Sequence, residues 1–148
     1  MSNGKNVWRF QPFVAATWLD TYTGLEASGA VSLLFSSENS ATNYQTAPAI
    51  QLECAVVQRI WSGWGFGLKG YLYQQLDDDS GSDAEQTRSA LGADSLQARV
   101  AGAGPIIIYS GGKLVGADVS LKMNYVTEFA AKRRFDSDTF TVSLALSF

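Results

Sequence analysis

Apolar and polar residues alternate one by one along most of this chain. Toward its end Phe140, Val142, Leu144, Leu146 and Phe148 fall on one face of an extended backbone, and Thr139, Thr141, Ser143, Ala145 and Ser147 on the other. A period of two is the signature of a β-strand, because successive side chains point to opposite faces. The preceding stretch repeats the pattern, with Val115, Ala117, Val119, Leu121, Met123, Tyr125 and Phe129 opposing Asp118, Ser120, Lys122, Asn124 and Glu128. So do Ile50, Leu52, Cys54, Val56 and Ile60 against Gln51, Glu53 and Arg59, and Trp64, Phe66, Leu68 and Leu72 against Gly65, Gly67, Lys69 and Tyr71. Leu25, Ala27, Val31, Leu33 and Phe35 oppose Glu26, Ser28 and Ser32. The rule is weaker near the start, where Arg9 and Gln11 oppose Trp8 and Phe10, and around the run Ile106-Ile107-Ile108. The pattern predicts about seven strands, over 6–19, 25–38, 49–60, 64–76, 98–109, 114–129 and 138–148, with residues 1–5 an unstructured start and no competing helical period.

The predicted fold is all-β: an antiparallel up-and-down (meander) β-barrel occupying the chain as a single domain, 1–148. Many strands exceed the roughly 5–6 residues usual in globular sheets and reach the roughly 9–11 that cross a bilayer at a tilt. The connections alternate in kind. Tyr22-Thr23-Gly24, Trp61-Ser62-Gly63 and Ser110-Gly111-Gly112-Lys113 read as tight turns, whereas 39–48, 77–97 and 130–137 are longer polar segments. Short turns at one rim and long loops at the other suit an outer-membrane barrel, with the short turns in the periplasm. Tracing strands on that basis puts Phe148 at the periplasmic rim and the start of the chain outside. Outer-membrane barrels usually have an even strand number, so the expectation is a barrel completed by missing strands or by a second copy.

Composition narrows the possibilities. Of 148 residues 46% are hydrophobic, yet mean hydropathy is only -0.02, as expected where each strand carries one polar face. No stretch approaches the about 20 apolar residues of a membrane helix, and the start lacks the apolar segment of a signal peptide. The net charge of -3 and the lack of a basic patch argue against nucleic acid as a partner. Histidine is absent, which removes the commonest general base and metal ligand; neither catalysis, a cofactor nor a bound metal is expected. The single Cys54 excludes an intrachain disulfide and reads as a small apolar residue.

Several segments carry a resemblance. Asn6-Val7-Trp8, the run Pro12-Phe13-Val14-Ala15-Ala16-Thr17-Trp18-Leu19-Asp20 with Thr23-Gly24, Glu38-Asn39 with Ala41-Thr42-Asn43-Tyr44-Gln45-Thr46, Gly70-Tyr71 with Tyr73-Gln74-Gln75-Leu76 and Asp79-Ser80-Gly81, and Gly104-Pro105 with Tyr109 resemble the outer-membrane transporters associated with the meta-pathway of phenol degradation. The likeness covers nearly the whole chain and matches the C-terminal part of that family's longer barrel. It implies a bacterial outer-membrane barrel that admits small hydrophobic or aromatic compounds, and it implies no catalytic residues.

The candidate functional residues are the charges on the polar faces: Arg9, Glu26, Glu53, Arg59, Lys69, Arg99, Asp118, Lys122 and Glu128. If the apolar faces meet lipid, these line the lumen; a charge on the lipid face would cost about 2–4 kcal/mol at mid-bilayer. The alternatives are a soluble barrel with the faces reversed, enclosing an apolar ligand as lipocalins do, and a fragment that self-assembles through open sheet edges. The expected partners are a lipid bilayer or detergent, a small hydrophobic solute and further copies of the chain. Aromatics near the short-turn rim (Trp18, Tyr22, Trp61, Trp64, Phe148) and near the long-loop rim (Phe35, Tyr44, Tyr73, Phe129, Phe135) suggest two interfacial belts. The acidic run 77–83 could offer oxygens to calcium, but its spacing is not that of an EF-hand, and it reads as an exposed flexible loop. Lys132-Arg133-Arg134 could meet anionic lipid headgroups or simply solubilise its loop.

Overall fold

The alternation read from the sequence becomes a single curved sheet. The computed structural model describes residues 7–114, 116–132 and 136–148; the start at 1–5, and Arg133 and Arg134, lie outside them. The strands are β1 (Arg9–Phe10), β2 (Phe13–Leu19), β3 (Leu25–Ser36), β4 (Ala49–Arg59), β5 (Trp64–Gln75), β6 (Arg99–Leu114), β7 (Ala117–Lys132) and β8 (Asp138–Ser147). From β3 to β8 each strand pairs antiparallel with the next, and β1 and β2 both pair with β3. The result is the antiparallel meander expected, as an open half-barrel, with β1 and β2 at one edge and β8 at the other.

Register fixes which residues share a face. Val31, Leu52 and Leu72 stand side by side on β3, β4 and β5. So do Phe66 and Ile107, then Met123 and Val142, on β5 through β8. These apolar positions lie on the convex side, where Leu68, Phe66 and Leu144 are 68%, 48% and 61% exposed. The alternate positions face the concave side, and there the buried residues gather: Val57, Val100, Ile106 and Val126 together with Ser32, Asn124 and Glu128. A globular sheet would bury the apolar face, since each fully buried Val, Leu or Phe gains about 1.5–3 kcal/mol. This sheet does the reverse.

Four expectations are corrected. The first strand is broken at Gln11-Pro12 into β1 and β2. Pro12 has no N–H for the ladder, which an edge strand tolerates, and its carbonyl still accepts from Leu33 N at 3.1 Å. Second, Ser110-Gly111-Gly112-Lys113 is not the turn. β6 runs on to Leu114, and a register shift between the pairs Ser110–Ser120 and Lys113–Asp118 marks a β-bulge there. Gly112, at φ 78, supplies the left-handed residue that such a bulge uses. Third, β7 extends to Lys132, so the last long loop is shorter than its polar composition suggested.

Fourth, the segment 77–97 contains a helix, α1 (Ser82–Leu91). Asp83 and Glu85 sit in its first turn and Arg88 in its last, as the helix dipole favours, and Gly92 ends it in the left-handed conformation. Its one buried residue is Ala84, so it has almost no apolar stripe to betray it. Nor is the acidic run 77–83 a free loop. Asp78 Oδ1 accepts from Ser95 Oγ (2.6 Å), Leu96 N (2.8 Å) and Gln97 N (3.0 Å). Asp79 Oδ1 accepts from Ala47 N and Gln75 Nε2, and Tyr44 Oη donates to Asp79 Oδ2. These bonds tie the loop before β4 to the loop after β5, capping one rim.

Candidate functional site on the concave face

The concave face brings together eight of the nine charged residues selected from the sequence. β3 and β4 hold Glu26 and Arg59 two positions off register, the diagonal on which long side chains meet. Arg59 Nη2 lies 2.6 Å from Glu26 Oε2, and its Nε donates to the same oxygen at 2.7 Å. The neighbouring pair repeats the geometry one strand on: Lys69 Nζ of β5 is 3.4 Å from Glu53 Oε2 of β4, while Gln51 Nε2 donates to Glu53 Oε1 at 2.8 Å. These pairs are partly exposed, and such pairs contribute about 0.2–1 kcal/mol each. They set the charge pattern of the surface rather than hold the fold.

The third contact is structural in a different way. Tyr71 of β5 reaches over β6 and donates its hydroxyl to Glu128 Oε1 of β7. Gly102, the residue between them in register, leaves the room: a Cβ there would stand 2.6 Å from Tyr71 Cε1. Glu128 is only 9% exposed, and its other oxygen accepts from Ser137 N at 3.0 Å. A buried carboxylate needs such partners, and this one fastens three strands and the last loop together.

Arg9 faces the concave side at the long-loop rim, beside Tyr73, Thr46 and Ala47. Asp118 stands at the opposite rim, in register with Lys113. Lys122 projects from β7 into a pocket it shares with Thr17 of β2, Ser28 of β3 and Lys69 of β5; the sheet is curved enough to bring its far strands to one hollow. Arg99 is the exception. It pairs with Gln74, in the register row of Ile50, on the convex face at the long-loop rim, so it does not join the other eight. Residues the sequence reading did not select, and which the geometry places among the eight, are Tyr71, Gln51, Thr17 and Ser28. Only their position on polar faces could have signalled them.

The convex face is apolar between its rims. The charged residues of the described strands that face outward, Arg99, Lys132 and Asp138, all stand at the long-loop end. At the short-turn end Trp64 packs on Tyr109, ring centroids 4.8 Å apart, and stacks on Phe66 at 6.2 Å. At the long-loop end Phe10 pairs with Phe35, and Ala101 with Phe129. Tyr73 and Tyr44, expected in this second belt, are elsewhere: Tyr73 shares the concave row of Gln51, and Tyr44 is bonded to Asp79 beneath the cap, where burial and that carboxylate push its phenol well above the ordinary value. Phe135 lies outside the described residues. Among the described residues no three Asp, Glu or Cys side chains gather in a way that would hold a metal ion, and no helix is long and apolar enough to cross a membrane.

An open antiparallel half-barrel, apolar without and charged within, defines a protein of the β-barrel class. Its sequence from residue 1 to residue 144 matches the family model described as "Putative MetA-pathway of phenol degradation", and the chain belongs to that family. No curated protein and no solved structure matches it.

Proposed function

We propose that the chain forms the wall of an outer-membrane β-barrel that lets small hydrophobic or aromatic compounds pass by diffusion. The observation that carries this reading is the distribution of charge: the convex face is free of charged side chains between its rims, whereas eight selected charges share the concave face. In water the apolar exterior would be a large aggregation-prone surface; in a bilayer it is the face that meets lipid, and each charge moved onto it would cost about 2–4 kcal/mol at mid-membrane. The soluble alternative needs an apolar interior, and the concave side has instead ion pairs and hydrogen-bonded carboxylates. The reading gives the chain no catalytic residue.

A sheet in lipid cannot leave backbone N–H and C=O groups unpaired. The edges formed by β1–β2 and by β8 are therefore closed by further strands in the membrane-embedded form, whether from the same polypeptide or from another copy. The test is refolding of the chain from denaturant with and without lipid vesicles. We expect β-structure and stable association on vesicles, and aggregation in detergent-free buffer. A monodisperse monomer in detergent-free buffer would overturn the membrane assignment, and vesicle-inserted protein without bilayer conductance would overturn the channel while leaving the wall.

A further inference from the structure

We infer that the hollow between β2, β3, β4, β5 and β7 is a selectivity site for a small monovalent oxyanion, the carboxylate of a small organic acid. This rests on reading the concave face as a solute path, and it narrows which solutes are held there. Two ammonium groups, Lys69 and Lys122, border the hollow, and one carboxylate, Glu53, does so as well. Glu53 is already engaged by Lys69 and by Gln51. Lys122 is exposed and has no carboxylate within ion-pair distance among the described residues. One positive charge is therefore left over, which matches one negative charge on a ligand better than two.

The other walls fit the same ligand. Thr17 Oγ1 and Ser28 Oγ are 3.1 Å apart, and either can donate to the other. Two hydroxyls sharing one bond leave one O–H free to donate, and this pair borders the same hollow as Lys122. Ala15, Ala30 and Ala55 also line the hollow and offer methyl groups on which an apolar body can rest. A carboxylate thus meets a cation and a hydroxyl donor while its apolar body rests on methyl groups. A neutral solute gains only the methyl contacts.

The experiment uses the refolded full chain and fluorine NMR of a fluorinated benzoate, with the matching fluorinated benzyl alcohol as the uncharged control. We expect benzoate to bind more tightly than the alcohol, with the preference shrinking as salt screens the lysines. Lys122→Gln should weaken benzoate about threefold to fivefold, the scale of one partly exposed ion pair, and leave the alcohol unchanged. Lys122→Glu should invert the preference toward a fluorinated benzylamine. Because Lys122 is exposed, both variants should keep the wild-type circular dichroism, and Thr17→Val provides a second, uncharged probe of the same hollow. Equal affinity for benzoate and the alcohol, benzoate binding unchanged in Lys122→Gln, or inorganic phosphate binding this site more tightly than benzoate would each overturn the inference. Vesicle-inserted protein that ignores benzoate removes this site but leaves the membrane wall. A chain that binds benzoate through Lys122 yet stays monomeric in water does the opposite.

Discussion

Asp20 and Asp78 show what a single carboxylate does in the connections of this sheet. Asp20 Oδ1 accepts from Tyr22 N at 2.9 Å and Oδ2 from Thr23 Oγ at 2.6 Å, closing the turn into β3; those two bonds, the threonine's first, hold its carboxyl below the ordinary value. Asp78 is held low in the same way, chiefly by Ser95 Oγ, then by the Leu96 amide, the charge of Arg88 and the Gln97 amide. A carboxyl whose folded value is depressed contributes its stabilisation above the ordinary carboxylate range and loses it as pH falls through the lowered value. The cap after α1 should therefore stay closed in mild acid and loosen only in strong acid, seen as faster hydrogen exchange at Leu96 and Gln97 relative to strand amides. Asp78→Asn should show the same loosening at neutral pH. Retention of wild-type protection there would exclude this anchor. The acidic run was visible in the sequence, but its use was not: the partners of Asp78 lie 17 to 19 residues away, and their proximity depends on the helix between them.

At the scale of elements, alternation located the long strands and the faces of β3, β4, β5, β7 and β8 correctly, because one face of each is apolar along most of its length. It failed where both faces are apolar or where polarity is uniform. Ile106-Ile107-Ile108 hides the phase of β6, which is why Arg99 was placed with the concave charges although it stands in the row of Gln74. Ser110-Gly111-Gly112 has the composition of a turn but serves as a bulge, and α1 has too little apolar surface to show a period. The Tyr71–Gly102–Glu128 crossing was equally hidden, since it depends on which residues of three strands share a row. It also yields a sharp expectation. Tyr71→Phe removes a donor from a nearly buried carboxylate and should cost about 1–3 kcal/mol, measured by denaturant unfolding in detergent or vesicles. Gly102→Ala places a Cβ against the Tyr71 ring and should cost a similar amount. Combining the two should cost less than the sum, because both break one crossing. Strict additivity would mean that Tyr71 and Gly102 act independently.

For the molecule as a whole, the question is which side of the sheet meets lipid, and neighbouring residues of β5 can answer it. Leu68 points to the convex side and is 68% exposed; Lys69 points to the concave side, against Glu53. If the convex face met water, Leu68→Arg would be an ordinary surface change, within about 0.5 kcal/mol, and would improve solubility. If it meets lipid near mid-membrane, the same change costs about 2–4 kcal/mol and should lower the yield of vesicle-inserted protein severalfold. Lys69→Leu makes the complementary comparison. It removes a partly exposed ion pair of about 0.2–1 kcal/mol and, if the convex face is the one that meets lipid, should insert nearly as well as the wild type, because the concave side then faces away from the acyl chains. The pair of variants reads orientation without depending on conductance, on the identity of the solute or on how the sheet edges are closed. Insertion yields that fall for Lys69→Leu and hold for Leu68→Arg would mean that the polar side faces the bilayer, and the charge distribution of the sheet would then need another explanation.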